Sequence, residues 1–391
     1  MGNLRLAVLS DLHAAPKSAE EGNHEVKLFT DVGSASPLEH PLLSLEAFIT
    51  QSGLTADLIV CPGDMTNRAN PQALCYVWDG LHKLKALLKS TAIIATVGNH
   101  DVDSRGHVVD SFPRESLMRL SPRFPIDDDQ LADHYWAHGY YITQIAGARI
   151  LVINSCWLHE SRNDLDRGVV TSYTLEKLRK DLAVVSSTKI NIAVCHHHPH
   201  SHSELALGSE DVMRNGQQLI DLLADSGSWL IVHGHKHHPK VEYAAGQDDQ
   251  PIVLACGSFS GRLEGPNATV SRNYFHVVDI DLQADSIQGT VKSWTWISGV
   301  GWKQYADAES RFPSEFGFGF HGKLAPLADS IPLHMNGEKI MEWQDLVLKV
   351  PALSLLMPKQ LKKLIENLRS KHQLNVVFDE YSRPKQIGER P

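Results

Sequence analysis

Five segments of the chain combine histidine with carboxylate, amide or glycine residues at short spacings. They are Asp11-Leu12-His13, Gly63-Asp64, Gly98-Asn99-His100-Asp101, His196-His197-His198-Pro199 and Gly234-His235-Lys236-His237. Imidazole nitrogens suit Zn, Fe and Mn ions, whereas carboxylate and amide oxygens suit harder cations, so this mixture without cysteine suits a pair of divalent ions. In Asp-x-His and His-x-His, alternation along an extended chain brings both side chains to one face. The spacing therefore indicates metal chemistry.

Each segment follows a short apolar run of strand length. These runs cover residues 6–9, 58–61, 92–97, 190–195 and 229–232, and further runs lie at 150–153, 252–255 and 275–280. Helix-like segments separate several of them, at 42–51, 72–88, 175–185 and 212–224. Strands that alternate with helices predict an α/β sheet. Because ligands bind at the carboxyl ends of strands in such sheets, the five segments are expected to form one site.

The pattern is not purely alternating. Ala146-Gly147-Ala148 predicts a hairpin, and the strands after Trp229 follow one another without helices, so the sheets should be mixed. Residues 1–302 are expected to form the main domain, with loop or lid insertions at 14–40 and 105–138. Residues 303–391 form a C-terminal extension of unknown role, in which 358–372 predicts an amphipathic helix.

Taken in order, the five segments resemble the motifs of the calcineurin-like metallophosphoesterase superfamily, over roughly residues 4 to 300. Within it, the chain is most similar to the bacterial cyclic-nucleotide phosphodiesterases. The resemblance implies an α/β fold, a four-layer α/β/β/α sandwich with mixed sheets, to which the C-terminal segment adds a small α+β extension. It also implies two divalent metal ions, with Mn, Fe and Zn as the candidates.

The resemblance also implies the ligands. By motif, one ion would be held by Asp11, His13, Asp64 and His237, and the other by Asp64, Asn99, His197 and His235. Asp64 would bridge the two ions. The family pattern of a histidine two residues before proline selects His197, with His196 and His198 left as alternatives because neighbouring residues of an extended strand point to opposite faces.

His100 matches the family's catalytic histidine, which would protonate the leaving oxygen or stabilise the transition state, and Asp101 is expected to orient its imidazole. Asn67 stands where many members carry Asp and is expected to support the site without binding metal. The implied reaction is in-line attack on phosphorus by a hydroxide that bridges the two metal ions.

These features predict a dinuclear metal-dependent phosphohydrolase, more specifically a phosphodiesterase. The alternatives are a nuclease, a phosphomonoesterase or protein phosphatase, and a nucleotide pyrophosphatase, all on the same site. An alternative of another class is a non-catalytic binding scaffold whose C-terminal extension recruits a protein partner. The expected ligand is a phosphoester, with nucleotides among the candidates.

The charge balance and the length of the apolar runs limit which partners and which cellular compartment are expected. Lys and Arg number 37 against 46 Asp and Glu, a net charge of −9, which argues against an extended nucleic-acid partner. No apolar run approaches the ~18 residues of a membrane span, and the run before Asp11 is too short for a signal peptide, so no membrane contact and a cytoplasmic location are expected. The five cysteines are scattered and predict buried reduced thiols.

Two further sequence patterns are not expected to bind metal or phosphate directly. The loop Gly257-Ser-Phe-Ser-Gly261 lacks the lysine of a phosphate-binding P-loop and predicts a turn near the site. The other histidines are expected to flank the chemistry and not to bind metal, among them His107, His159, His200, His202, His233 and His238.

Overall fold

The computed structural model of the protein describes residues 2–17, 26–33, 36–102, 112–159, 167–185, 188–201, 212–244, 250–261, 272–305 and 312–389. The parts of the predicted insertions at 18–25, 34–35 and 105–111 lie outside these described residues, as do His107 and His202.

The first sheet carries three of the five segments. Its strands are β1 (Asn3–Val8), β2 (Leu58–Cys61), β3 (Ala92–Ala95), β10 (Tyr274–Asp281), β11 (Gly289–Ile297), β12 (Gly301–Lys303) and β13 (Glu315–Phe318). They lie in the order β12-β11-β10-β1-β2-β3, and β13 pairs with β11. The strands β1, β2 and β3 are parallel, with Leu6 opposite Leu58 and Ile59 opposite Ile93. Parallel strands covered on both faces account for the continuous apolar runs.

The second sheet carries the other two segments. Its strands are β4 (Tyr140–Ile145), β5 (Ala148–Ile153), β6 (Asn191–Val194), β7 (Trp229–His233), β8 (Pro239–Tyr243) and β9 (Ile252–Cys256), in the order β4-β5-β6-β7-β9-β8. Four strands are parallel, and β4 and β8 are antiparallel at the edges. The predicted hairpin joins β4 to β5, with positive φ at both Ala146 and Gly147, as a type I′ turn requires.

The helices lie on the outer faces. They are α1 (Pro41–Ser52), α2 (Pro71–Leu88), α3 (Pro113–Met118), α4 (Asp129–His138), α5 (Ser172–Val184) and α6 (Gly216–Asp225). Side chains such as Asn70, which accepts a hydrogen bond from Ala73 N, cap their first turns. The helix α4 lies within the insertion at 105–138, which was expected to be a loop or lid. Its N-cap Asp128 and its buried residues Ala132 and Tyr135 stabilise it.

Alternate side chains of the second sheet belong to two apolar clusters. Ile150 and Val152 pack in the core shared with the first sheet. Leu151 and Ile153 pack in a second cluster with Leu178 of α5 and Leu219 and Leu223 of α6. On the far side of the first sheet, residues of α1 and α2 such as Leu45 and Leu81 close the shared core. The layers are therefore α/β/β/α, and the predicted fold class is confirmed.

The C-terminal extension has an apolar core of its own. It contains α7 (Leu324–Met335), β14 (Ile340–Glu342), α8 (Trp343–Lys349), a 3-10 helix (Pro351–Leu355), α9 (Pro358–His372), β15 (Leu374–Phe378) and β16 (Pro384–Glu389), with strand order β14-β16-β15. The predicted amphipathic helix is α9, which buries Leu364, Ile365 and Leu368. The extension is α+β, as expected.

Among the described residues, every helix is too short or too polar to cross a lipid bilayer.

Candidate metal centre

The ends of five strands meet where the two sheets face each other. The turns that follow β1, β2 and β7 are sharp, since Asp11, His13, Asp64, His235 and His237 have φ between 47° and 76°. Residues other than glycine rarely adopt this left-handed conformation, and surrounding contacts must hold them in it. Five of the residues that the sequence assigned to metal binding therefore adopt a strained backbone conformation.

Asp64 lies between two groups of donor atoms. Its Oδ1 accepts a hydrogen bond from the His100 backbone N–H at 2.8 Å, which fixes the carboxylate. Its Oδ2 lies 3.6 Å from His13 Nε2 on one side and 3.3 Å from His196 Nε2 on the other. One carboxylate oxygen thus belongs to both groups.

The first donor group consists of Asp11, His13, His237 and Asp64. His13 Nε2 and His237 Nε2 are 2.8 Å apart, and His237 Nε2 is 3.4 Å from Asp11 Oδ1. Asp11 is held from behind, because its Oδ1 accepts from the His235 backbone N–H at 2.9 Å and its Oδ2 accepts from Ser10 Oγ at 2.5 Å. Donor spacings of about 3 to 4 Å fit ligands around one ion with bonds near 2.1 Å.

The second donor group consists of Asn99, His196, His235 and Asp64. Asn99 Oδ1 lies 3.0 Å from His196 Nε2 and 3.0 Å from His235 Nδ1. His196 Nδ1 donates to the Pro62 carbonyl oxygen at 2.9 Å, so in the neutral ring Nε2 carries a lone pair. That lone pair faces two oxygens that only accept, on Asp64 and Asn99. A cation bound among these acceptors would satisfy them in place of the second proton that His196 carries without metal.

The protonation states of the residues in the two donor groups depend on their burial and on the charges of neighbouring residues. Burial alone would raise the pKa of the Asp64 carboxyl, but His196 and His100 hold it well below its usual range. Burial, followed by the charge of His100, lowers the pKa of His13 to about 3. For His196 the effect of burial is outweighed by the Asp64 carboxylate, which raises the pKa to about 9. Ionised carboxylates and a neutral His13 are the forms that bind metal ions.

His197 does not enter either donor group, contrary to the expectation from the sequence. Its Nδ1 lies 2.9 Å from Ser155 Oγ and 3.9 Å from Cys156 Sγ. His196 continues the side of β6 that faces the first sheet, like Val194, whereas His197 continues the side of Cys195, which packs toward α5 and α6. Alternation along the strand thus selects His196, one of the alternatives left open.

Asp101, which was expected to orient His100, contacts two backbone N–H groups. Its carboxylate accepts hydrogen bonds from Thr66 N at 2.9 Å and Gly98 N at 2.8 Å, so it fixes the two turns that carry Asp64 and Asn99. Burial, and next the nearby Asp64 charge, raise the pKa of Asp101 to about 7. Asn67 contacts the His100 ring, and its Oδ1 accepts from His100 Nδ1 at 3.1 Å.

Two glycines let the turns approach one another. A Cβ atom on Gly98 would overlap Asp64 Oδ1 and the Asp64 backbone nitrogen. A Cβ atom on Gly63, whose φ is +103°, would lie 2.6 Å from Gly98 N. Only glycine fits at these two positions without displacing Asp64 or the Gly98 backbone.

The loop at residues 257–261, here called the serine strap, holds the turn after β1. Ser258 Oγ donates to the Asp11 carbonyl oxygen at 2.8 Å, and Ser260 Oγ donates to that of Leu12. Phe259 N donates to Ser10 O at 2.7 Å. The sequence indicated a turn near the site, but the strap and the turn are separated by about 250 residues and no spacing rule connects them.

Two protein-family models match the chain, and the first agrees with the fold described above. A family model described as calcineurin-like phosphoesterase matches residues 4–239. A second model, described as wHTH-Calcineurin_assc, matches residues 316–370, from β13 into α9. No curated protein matches the chain.

Similar solved structures include two nucleotidases and a thiohydrolase. They are the 5'-nucleotidase precursor from Thermus thermophilus (13% identity, 74% of this chain and 54% of that chain, TM-score 0.37), the NAD nucleotidase from Haemophilus influenzae (14%, 78% and 54%, 0.38) and the sulfate thiohydrolase SoxB, also from Thermus thermophilus (15%, 75% and 56%, 0.37). The chain spans little more than half the length of each.

The first family model covers well over half of the 391 residues and contains all five motif segments in full. Its match ends just after the fifth segment, Gly234–His237, so the ordered set that suggested the family lies inside it. The chain belongs to the calcineurin-like phosphoesterase family.

Proposed function

We propose that the protein is a dinuclear metal-dependent phosphohydrolase that acts on phosphodiesters. The observation that carries the proposal is the position of Asp64 Oδ2, 3.6 Å from His13 Nε2 and 3.3 Å from His196 Nε2. One ion is assigned to Asp11, His13, Asp64 and His237, and the other to Asp64, Asn99, His196 and His235, with His196 in place of the expected His197. Mn, Fe and Zn all suit these nitrogen and oxygen donors.

Two divalent cations bound there would supply positive charge for phosphate oxygens and Lewis acidity for activating water. The protein's own residues hold that arrangement in place. The Asp64 carboxylate is fixed by the His100 backbone N–H and the Asp11 carboxylate by the His235 backbone N–H. Such fixed ligands reduce the rearrangement that substrate binding would otherwise require.

His100 is the proposed proton donor to the leaving oxygen. Its ring centroid lies 4.7 Å from that of His13, next to the first donor group. Its Nδ1 donates to Asn67 Oδ1, so Nε2 is the nitrogen that, in the protonated ring, passes a proton to substrate. Asn67 is a positioning residue, because it acts by orienting this ring.

The preference for diesters rests on the motif resemblance, and a substrate panel tests it. With Mn²⁺ added, the protein is expected to hydrolyse bis-p-nitrophenyl phosphate with a kcat/KM at least tenfold above that for p-nitrophenyl phosphate. Chelator should abolish the activity and Mn²⁺ should restore it. The reverse ratio would make the protein a phosphomonoesterase. Selective cleavage of DNA, or of a nucleotide pyrophosphate bond, would support the corresponding alternative.

The C-terminal extension is proposed to be a separate unit from the catalytic domain. Its apolar core runs from Ala328 to Ile387, while β13 still belongs to the first sheet. The proposed boundary therefore lies between Phe318 and Leu324, later than the residue 302 expected from the sequence. Recruitment of a protein partner by this unit stays a prediction.

A further inference from the structure

A second group of metal-binding side chains lies on the other side of the end of β6. It consists of Cys156, His159 and His197, all buried. The Cys156 Sγ and one nitrogen of each imidazole lie within 4.8 Å of one another, and His197 Nδ1 is 3.9 Å from the sulfur. None of the three belongs to either donor group of the dinuclear centre.

The hydrogen bonds around this group fix which nitrogen of His159 carries the lone pair and leave one nitrogen of His197 without a partner among the described residues. His159 Nε2 donates to the Arg167 carbonyl oxygen at 3.0 Å, so Nδ1 of the neutral ring carries the lone pair. His197 Nε2 is buried and has no hydrogen-bond partner within the described part of the chain. Buried polar atoms seldom lack a partner, so this ring is short of one interaction.

The donor types differ from those of the dinuclear centre. One thiolate and two imidazoles form a softer set, which suits Zn²⁺ better than Mn²⁺. Three protein ligands with water in the fourth position are a common zinc arrangement. Bond lengths near 2.0 to 2.3 Å would require the donors to close by about 1 Å.

We propose that Cys156, His159 and His197 bind a third metal ion, a zinc ion separate from the dinuclear pair. On binding, the Cys156 S–H bond breaks, its proton passes to solvent, and a Zn–S bond forms, while both neutral imidazoles supply lone pairs. The ion joins the segment after β5 to the end of β6. Because His196 precedes His197, the ion also stabilises the position of a ligand of the dinuclear centre.

Cobalt substitution tests this site without using activity. Metal-free, full-length protein is titrated with Co²⁺, and the near-ultraviolet charge-transfer band of a Co²⁺–thiolate bond is recorded. The dinuclear donors are nitrogen and oxygen only, so this band reports the third site alone. We expect a band whose final intensity corresponds to one Co²⁺–thiolate bond per chain and that disappears when Zn²⁺ is added. Wild-type protein that binds Co²⁺ without the band would overturn the proposal.

Variants identify the sulfur and separate the two sites. Cys156→Ala should lose the band, and His159→Gln should weaken Co²⁺ binding at this site at least tenfold. Cys61→Ala is the matched control, because Cys61 is an equally buried thiol outside the group, and it should keep the band. Asp64→Ala should also keep the band while losing the other ions, so failure of the dinuclear assignment would be distinguishable. A band that survives Cys156→Ala would contradict the proposal. If that variant does not fold, His159→Gln decides alone.

Discussion

His196 Nε2 lies 3.3 Å from Asp64 Oδ2, although His197, the next residue, was the histidine expected to serve as the ligand. Both histidines are fully buried, and they differ in the side of β6 that they continue. His196 faces the shared carboxylate, and His197 contacts Ser155. This pair decides how the second donor group is completed.

Substitution of the two histidines should give opposite results with Mn²⁺. His196→Ala is expected to lose one Mn²⁺ per chain and about a hundredfold or more in kcat/KM, because it removes a donor from the second group. His197→Ala is expected to keep two Mn²⁺, since Mn²⁺ is poorly suited to the thiolate cluster. Elemental analysis of both proteins measures this. Loss of Mn²⁺ from His197→Ala alone would restore the original ligand assignment.

His100→Gln should separate metal binding from catalysis. The variant is expected to hold both ions but to lose about 10² to 10³ in kcat, because it lacks the proton donor. The loss should be larger for an alkyl ester than for a p-nitrophenyl ester, whose leaving group needs little protonation. Equal losses for both leaving groups would count against proton donation.

Asn67→Ala should impair the same proton donor, His100, by a smaller factor. It leaves the His100 ring in place but removes its Nδ1 partner at 3.1 Å. We expect about a tenfold loss in kcat with unchanged metal content. A loss of metal would instead assign Asn67 to ion binding.

Gly98→Ala should displace Asp64 and thereby weaken metal binding. The added Cβ would overlap Asp64 Oδ1 and the Asp64 nitrogen, so the shared carboxylate must move. We expect loss of both ions and a lower Tm. Gly2→Ala is the control, because no atom lies within 4 Å of the Cβ position there. Normal metal content in Gly98→Ala would show that Asp64 can shift without consequence.

Ser258→Ala should weaken the first donor group. It removes the hydrogen bond to the Asp11 carbonyl oxygen that holds a turn with positive φ. We expect about tenfold weaker binding of one Mn²⁺, measured by calorimetry. Ser90→Ala is a matched control, since its buried hydroxyl also donates to a carbonyl, that of Ala56, away from the site. Equal Mn²⁺ affinity in both variants would leave the serine strap with a purely structural role.

The buried, unprotonated His276 should lower the free energy of unfolding of the metal-free protein at acid pH. Burial lowers its pKa to about 4, with Nε2 donating to Cys256 O and Nδ1 next to Ser293 Oγ. Below an unfolded pKa near 6.5, the unfolded chain therefore binds a proton that the folded chain does not. As the pH falls, the free energy of unfolding therefore decreases by up to about 1.4 kcal/mol per pH unit, and by about 3 kcal/mol in total near pH 4. Urea unfolding at several pH values should show a shallower acid loss for His276→Gln, whereas identical slopes would exclude this contribution.

Much of the fold could be predicted from the sequence because buried parallel strands are continuous apolar runs and each ends in a polar motif. The ligand types followed from the same motifs. The choice between His196 and His197 could not be predicted, because it depends on which residue of β6 first leaves the strand. The contact of Asn67 with His100, and that of Ser258 with Asp11, join distant segments that carry no shared pattern. The helix α4 was missed because its polar sequence buries only Ala132 and Tyr135.

The central claim is that two ions share the carboxylate of Asp64. Electron paramagnetic resonance of the Mn²⁺-loaded protein tests it most directly, because two Mn²⁺ ions bridged by one carboxylate are magnetically coupled. We predict two Mn²⁺ per chain with a coupled spectrum in the wild-type protein, and loss of that coupling in Asp64→Ala. A single ion, or two uncoupled ions in the wild-type protein, would contradict the account.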